Sequence, residues 1–483
     1  MDPRRIGKEW RVVLIVSVLL LVAILLDLTP LLRGPAPYPP EWRWDLRAGT
    51  LGGRWFPALA SGAALVALAW VGGRLRPAVV VTAAVAAGWL FQLSLAGLEP
   101  AGAARTLVER ALSRTATSYL TVAESDAARD PAVFLDHHAE RLPELRKAAK
   151  HAATHPPGPV LFYRGLIGFF EAAPGAATAL LGAGGIDPDS GRRPAPVRAA
   201  ALAGPLLIMF LCVATAWPVA ALARAGGMEA PRAARLAALW PLLPGPALMA
   251  PHFDQMLALP VTAAAALLAS AAASGGRPLI ARALAAGLCG GIAMQFSYGA
   301  AVFLLIAGAA ALAFAGRVDR SILCTVAWAA LACGLVIFLP VAWGHEPITA
   351  ARTALAIHRE AYTQPRSYGT WLLFNPLDLV IFGGLPVIVV GLVRLARPAP
   401  MRGPFDRMRA VLASGFALLL LSGTVRGELG RIAIPLMPAL LLASLGPGGD
   451  PAVDPGPTTA EAALAAVLLA ALTAAIAARW AVA

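Results

Sequence analysis

The sequence predicts an all-α polytopic membrane protein, and three observations carry that expectation. Of its 483 residues, 58% are hydrophobic and only 14% are charged, whereas soluble proteins carry about 25% charged residues. Mean hydropathy is +0.70. Apolar stretches of spanning length recur along the whole chain. The same composition excludes an intrinsically disordered chain and a disulfide scaffold.

A spanning helix needs about 20 mostly apolar residues. The qualifying runs are 12–29, 55–73, 78–98, 199–223, 236–250, 256–274, 280–295, 298–315, 321–343, 379–396, 410–424, 431–446 and 459–479. They number thirteen, bounded between eleven and fourteen because several are short or contain proline. The first follows a basic start, MDPRRIGKEWR. Its apolar stretch is too long for a signal peptide and no small-residue cleavage site follows, so it reads as an uncleaved span. The run 159–183 contains Arg164, Glu171 and Pro174. If it spanned, the basic loops after it would lie outside, against the positive-inside rule. It therefore reads as a re-entrant or interfacial segment.

This threading puts the N-terminus in the cytoplasm. The polar segments 30–53, 99–158, 184–198, 251–255, 344–378 and 426–431 then share the extracytoplasmic face. The chain reads as one multi-span domain, 1–483, with extracytoplasmic loops at 99–158 and 344–378. Net charge is +13, and Lys8, Lys147 and Lys150 are the only lysines. Basic cytoplasmic loops account for that charge better than nucleic acid does. Arg, Ala, Gly and Pro in quantity, with little Lys, suggest a GC-rich bacterial genome and hence a bacterial inner membrane. Cys212, Cys289, Cys324 and Cys333 lie in apolar runs and read as small hydrophobes.

The loop 99–158 predicts two amphipathic juxtamembrane helices. ARTLVERALSR (104–114) spaces Leu107, Val108 and Leu112 helically. PAVFLDHHAERLPELRKAAK (131–150) starts well at Asp130 and Pro131. Ionisable residues gather around them: Tyr119, Glu124, Asp126, Asp130, Asp136, His137, His138 and His151. The prolines of THPPGPVLFY (154–163) fix an extended entry that holds His155 beside the next segment.

Tyr119 to Ala123, the FLD helix start and H-x-x-T-H-P-P-G-P at 151–159 resemble the first periplasmic loop of GT-C superfamily membrane glycosyltransferases. Relatives of that kind include the aminoarabinose transferases and protein O-mannosyltransferases. The local motifs cover about 45 residues, and the general layout follows the chain loosely. The resemblance implies a polyprenyl-phosphate sugar donor and a catalytic carboxylate on the outer face. The family's Asp-Glu pair before the tyrosine is missing, since 113–119 reads SRTATSY. The carboxylate must lie elsewhere, with Asp126 first and Glu124 or Asp45 as substitutes.

The other outer segments carry further candidates. RGPAPYPPEWRWDLR (33–47) places Tyr38, Trp42 and Trp44 beside Arg and acidic residues. This is either an interfacial anchor or a sugar-binding lip. PHFDQ (251–255) sets His252 and Asp254 at a membrane rim, where ionisable groups tend to be functional. No ligand spacing marks a metal site, and a divalent cation is left open. The loop 344–378 is long for a connector and holds His358 and Arg366. VRGELGR (425–431) puts Arg426, Glu428 and Arg431 near the bilayer edge, and an arginine fork there suits a lipid phosphate.

No P-loop, G-x-S-x-G or H-E-x-x-H occurs. The expected activity is inverting transfer of a sugar from a polyprenyl phosphate to an extracytoplasmic glycan, lipid or protein. Membrane lipid is the other expected partner. Arg426, Arg431 and Arg366 would hold the leaving phosphate, and His155 would orient the acceptor or phosphate. His137, His138, His252, Asp254, Glu428 and Tyr119 complete the expected substrate-binding set. The rival readings are a transporter or lipid flippase, and a non-catalytic relative.

Overall fold

A computed structural model describes residues 7–37, 39–47, 54–114, 117–396, 403–449 and 456–482. Tyr38 and part of the basic loop after residue 396 lie outside the described residues. The chain opens with α1 (Lys8–Leu25) and a loop that ends in strand β1 (Asp45–Leu46). The antiparallel helices α2 (Trp55–Val71) and α3 (Pro77–Ala96) follow. The expected outer loop is built from α4 (Ala103–Leu112), α5 (Tyr119–Ala123), α6 (Pro131–Asp136), α7 (His138–Ala148) and α8 (Lys150–Ala153). Helix α6 starts where expected, with Pro131 in the first turn and Asp130 Oδ1 accepting from the Ala132 N–H at 2.8 Å. Helix α4 buries Leu107, Val108 and Ala111.

The run 159–183 forms α9 (Gly158–Ala172) and α10 (Pro174–Ala183), bent by 107° at the break before Pro174. Helices α11 (Ala195–Ala214) and α12 (Ala216–Ala225) make one long apolar element. The stretch 236–250 is no single span. It becomes α13 (Ala230–Ala237), a buried 3₁₀ turn and α14 (Pro244–Leu248), because Pro241, Pro244 and Pro246 remove backbone donors and stop helix propagation. Then come α15 (Phe253–Ala272), α16 (Gly276–Phe296), α17 (Ala300–Leu312), α18 (Arg320–Phe338) and α19 (Pro347–His358). Helices α20 (Tyr368–Phe382) and α21 (Leu385–Leu395) form a second bent pair, at 115°. The chain ends with α22 (Pro404–Ser422), α23 (Leu429–Ile432), α24 (Met437–Leu445), α25 (Thr459–Arg479) and strand β2 (Trp480–Ala481).

By length and composition, seven described helices can cross a membrane, or up to nine if each bent pair is one span. All seven fall on expected runs. The remaining runs are short, such as Ala300–Ala315 and Ile434–Leu445, or carry charge. Helix α1 includes Lys8, Glu9 and Arg11, and α22 includes Asp406, Arg407 and Arg409. Leu305, Leu335 and Leu418 point outward although they are large and apolar, as lipid-facing side chains do.

Both chain ends join the same bundle. Strands β1 and β2 pair antiparallel, with Asp45 opposite Ala481 and Leu46 opposite Trp480. Thr458 and Glu461 form a capping box on α25. Glu461 Oε1 also accepts from the Gly7 N–H, 454 residues away, at the start of α1.

Helices α16 and α18 pack closely against each other. A Cβ at Gly287 would sit 2.2 Å from the Ala329 carbonyl oxygen, and one at Gly291 would sit 2.5 Å from Val336 Cβ. Two glycines one turn apart let the backbones touch, the small-residue device of membrane helices. Gly287→Leu is expected to lower stability by about 1–3 kcal/mol through overpacking. A lower melting temperature of the purified protein in detergent checks this, and an unchanged one contradicts it.

Candidate functional site

The loop 423–431 is the backbone of the site, and α20 holds it in place. Asn375 Nδ2 donates to the Val425 carbonyl at 2.8 Å, and its Oδ1 accepts from the Gly427 N–H at 3.3 Å. One turn on, Asp378 Oδ2 accepts from the Gly430 N–H at 2.7 Å. Two arginines clasp reciprocally: Arg366 Nη1 donates to the Arg426 carbonyl at 2.6 Å, and Arg426 Nη1 donates to the Arg366 carbonyl at 2.8 Å. Arg366 also lies over the Trp371 ring, and Arg426 over the Tyr368 ring. The first loop closes this side. Arg366 Nε donates to the Pro40 carbonyl, and Glu41 accepts from the Ser367 N–H and from Trp371 Nε1.

Arg431 is the centre. Its Nη2 lies 2.8 Å from Glu428 Oε2, its Nη1 donates to His252 Nδ1 at 2.9 Å, and its Nε faces Asp254 Oδ2 at 3.9 Å. Arg366 Nη2 reaches the other Glu428 oxygen at 3.6 Å. Glu428 sits at φ +57°, a left-handed conformation that non-glycine residues adopt at a cost of about 1–3 kcal/mol. Burial alone would raise its pKa, but Arg431 and Arg366 outweigh burial and hold the carboxyl below its ordinary 4.5. Burial would likewise lower the Arg431 pKa, and Glu428 and Asp254 instead keep it raised.

The outer-loop helices bring the imidazoles. Ser118, at φ +58°, accepts on Oγ from the Ala152 N–H at 3.3 Å, which docks α8 beside α5. Tyr119 then packs edge-on against His155 at 5.5 Å and Phe253 at 5.3 Å between ring centres. The His155 Nδ1–H donates to the His151 carbonyl at 2.9 Å. Burial lowers the His155 pKa to about 3, so the ring is neutral and Nε2 keeps its lone pair. Burial first, and Arg431 second, keep His252 well below 6.5. Burial raises the Tyr119 hydroxyl well above 10, with Asp254 adding to the shift. His151 stacks on Tyr362 at 5.8 Å, and His358 approaches the same ring at 5.4 Å. Tyr362 sits in a π-helical turn, Arg359–Thr363, a geometry frequent at functional sites.

Of the expected residues, Tyr119, His155, His252, Asp254, Arg366, Arg426, Glu428 and Arg431 come together here. The three expected catalytic carboxylates do not. Asp126 is exposed and faces Arg129 at 3.7 Å, because it opens a surface 3₁₀ turn. Glu124 pairs with Arg193 at 3.0 Å on another side of α5. Asp45 lies exposed on β1 opposite Ala481. His137 is half exposed between Asp136 and Glu140. His138 is buried against Phe134 and His345 instead, with ring centres 5.4 and 5.3 Å away. Asp378 and Tyr362 were not singled out from the sequence. Asp378 carries a signal, an acid inside the apolar run FNPLDLVIF. Tyr362 carries none.

The chain matches no known family model, no curated protein and no solved structure. Its chemistry is therefore read from its own groups. Among the described residues, no three His, Cys, Asp or Glu side chains group as metal ligands. The cluster offers carboxylates for proton transfer, neutral imidazoles for hydrogen bonding and a guanidinium at an oxyanion's reach.

The same burial makes the protein acid-sensitive. His138 and His155 are held near 3, and His252, His345 and His358 are also lowered by burial. Unfolded histidines titrate near 6.5, so the unfolded state binds more protons below that pH and stability falls with acidification. Glu428 acts lower down: its contribution is complete above 4.5 and is lost as pH falls through its depressed folded value. The melting temperature is expected to be flat above about pH 7.5 and to fall from about pH 6.5 downward. His138→Gln should flatten part of that slope. A curve that stays level to about pH 5 would contradict the assignment.

Proposed function

We propose that the chain is an integral-membrane glycosyltransferase that moves a sugar, with inversion, from a polyprenyl-phosphate donor to an extracytoplasmic acceptor. The carrying observation is that His252 and Asp254, from one segment distant in sequence, join the neighbouring Glu428 around Arg431 at the ends of apolar helices. Burying such a set is costly unless it binds or reacts. The GT-C resemblance of 119–159 and the amphipathic outer-loop helices support the same reading. It includes a layout of about thirteen spans, a cytoplasmic N-terminus, a bacterial inner membrane and a site on the outer face.

The base in this reading is Asp254 rather than Asp126. It takes the proton of the acceptor hydroxyl as that oxygen forms a bond to the anomeric carbon. The bond from that carbon to the phosphate oxygen breaks, and its electron pair leaves with the phosphate. Arg431 stabilises the developing charge. Arg366 and Glu428 position Arg431, and the reciprocal clasp keeps Arg366 and Arg426 with the backbone. The chemistry balances electrostatically: once Asp254 is protonated, the cluster gains one net positive charge beside the leaving anion. His155 and Tyr119 face the acceptor side.

The test uses protein purified in detergent with a panel of polyprenyl-phosphate sugars and cell-envelope acceptors. Mass spectrometry follows release of polyprenyl phosphate. Release that depends on the protein supports the transferase. The two sharply bent helix pairs favour a second reading, transport or lipid flipping, since broken helices line many transport sites. No release with any donor, together with flux in proteoliposomes, would move the assignment there.

A further inference from the structure

The ionisable cluster does not use the open cleft beside it. The cleft lies between α7 and α19 and has a volume of about 540 Å³, within the usual range for a small-molecule site. Arg146, Lys147 and Lys150 line one wall, and Ala356, Ile357 and Glu360 line the other. Glu360 accepts from Arg146 at 2.6 Å across the cleft and neutralises that one cation. Lys147 and Lys150 enter no ion pair among the described residues. The cleft therefore carries an excess of two positive charges over a partly apolar floor.

Two features lift this above an ordinary solvated face. The chain has three lysines in all, and two of them line this one cleft. A lysine ammonium is a compact charge on a flexible stem, suited to following an oxyanion whose exact position varies. The cleft also adjoins the site along the chain on both walls. On one wall Lys150 is followed directly by His151, and on the other Glu360 and Ala361 are followed by Tyr362. His151 and Tyr362 stack on each other at 5.8 Å. The two walls thus meet at that stack, with Tyr119, His155 and Arg431 behind it.

We propose that this cleft binds the oxyanion of an anionic acceptor, a phosphate or carboxylate carried on a glycan or lipid headgroup. It would seat that group on Lys147 and Lys150 while the acceptor's hydroxyl passes the His151–Tyr362 stack. The proposal names the acceptor class of the transferase reading and rests on that reading for the reaction. Binding itself is measured without turnover.

Isothermal titration of the full-length protein in neutral detergent uses two probes, inorganic pyrophosphate and dihexanoyl phosphatidylglycerol. At least one is expected to bind, with affinity that falls as salt is raised. Lys147→Gln/Lys150→Gln should weaken binding about tenfold. Arg129→Gln, an exposed basic residue outside the cleft, should leave it unchanged. Tighter binding of pyrophosphate points to a soluble or glycan-borne anion, and tighter binding of the lipid to a headgroup. Either result supports the cleft. Binding of neither probe, or equal binding by the double variant, would overturn it. Absence of glycosyl transfer by the parent protein, with binding intact, would count against the reaction alone.

Discussion

Asp254→Asn is expected to reduce release of polyprenyl phosphate by about two to four orders of magnitude, the usual worth of a general base. The exchange keeps the size of the side chain and removes its charge together with its capacity to take a proton. Asp254 lies at the first turn of α15, 3.9 Å from Arg431 Nε, so the fold should survive with a melting temperature within a few degrees of the parent. Asp126→Asn and Glu124→Gln form the control arm and should retain turnover within about twofold. Asp126 touches only Arg129 on the surface, and Glu124 is engaged with Arg193. The assignment would fail if Asp254→Asn turned over normally, and it would return to Asp126 if only that control lost activity.

Arg431→Met should remove both activity and stability. It leaves Glu428 and Asp254 buried without their shared cation. Breaking a buried pair from one side costs about 3–5 kcal/mol, because the remaining charge is uncompensated. A large drop in melting temperature is expected. Adding Glu428→Gln should restore part of that stability, since one of the two carboxylates left without Arg431 is then neutral. Turnover should stay lost, because the group facing the leaving phosphate is still missing. Recovery of turnover in the double variant would show that Arg431 serves the fold alone.

The apolar runs were legible because hydropathy acts locally and additively. All seven long apolar helices lie where composition placed them. The stretch 236–250 was misleading, since its mean hydropathy conceals three prolines within 241–246 that break the helix. Most members of the ionisable cluster were legible too. His252, Asp254, Glu428 and Arg431 stand at the ends of apolar runs, where a charge is expensive and so conspicuous. The expected catalytic carboxylates lie outside that cluster. Asp126 and Glu124 were favoured for closeness in sequence to Tyr119, whereas the contacts of Tyr119 come from α15 and the HPP segment. His252 and Arg431 meet across 179 residues, and no local spacing encodes such a pairing. Asp378 was passed over although an acid inside the apolar run FNPLDLVIF is itself a signal.

The tie between Gly7 and Glu461 sets an order of events during synthesis. The first helix leaves the ribosome long before its partner exists, because Glu461 follows Gly7 by 454 residues. Until then α1 and the first loop cannot take their final places, and Glu41 cannot reliably brace Ser367 and Trp371 behind the arginine clasp. Folding must hold the earliest element in waiting while the bundle grows beside it, a strongly non-local and therefore slow closure. The ionisable cluster thus matures only after α25 has been made, and a chain that stops short of α25 carries its charged groups without the frame that aligns them.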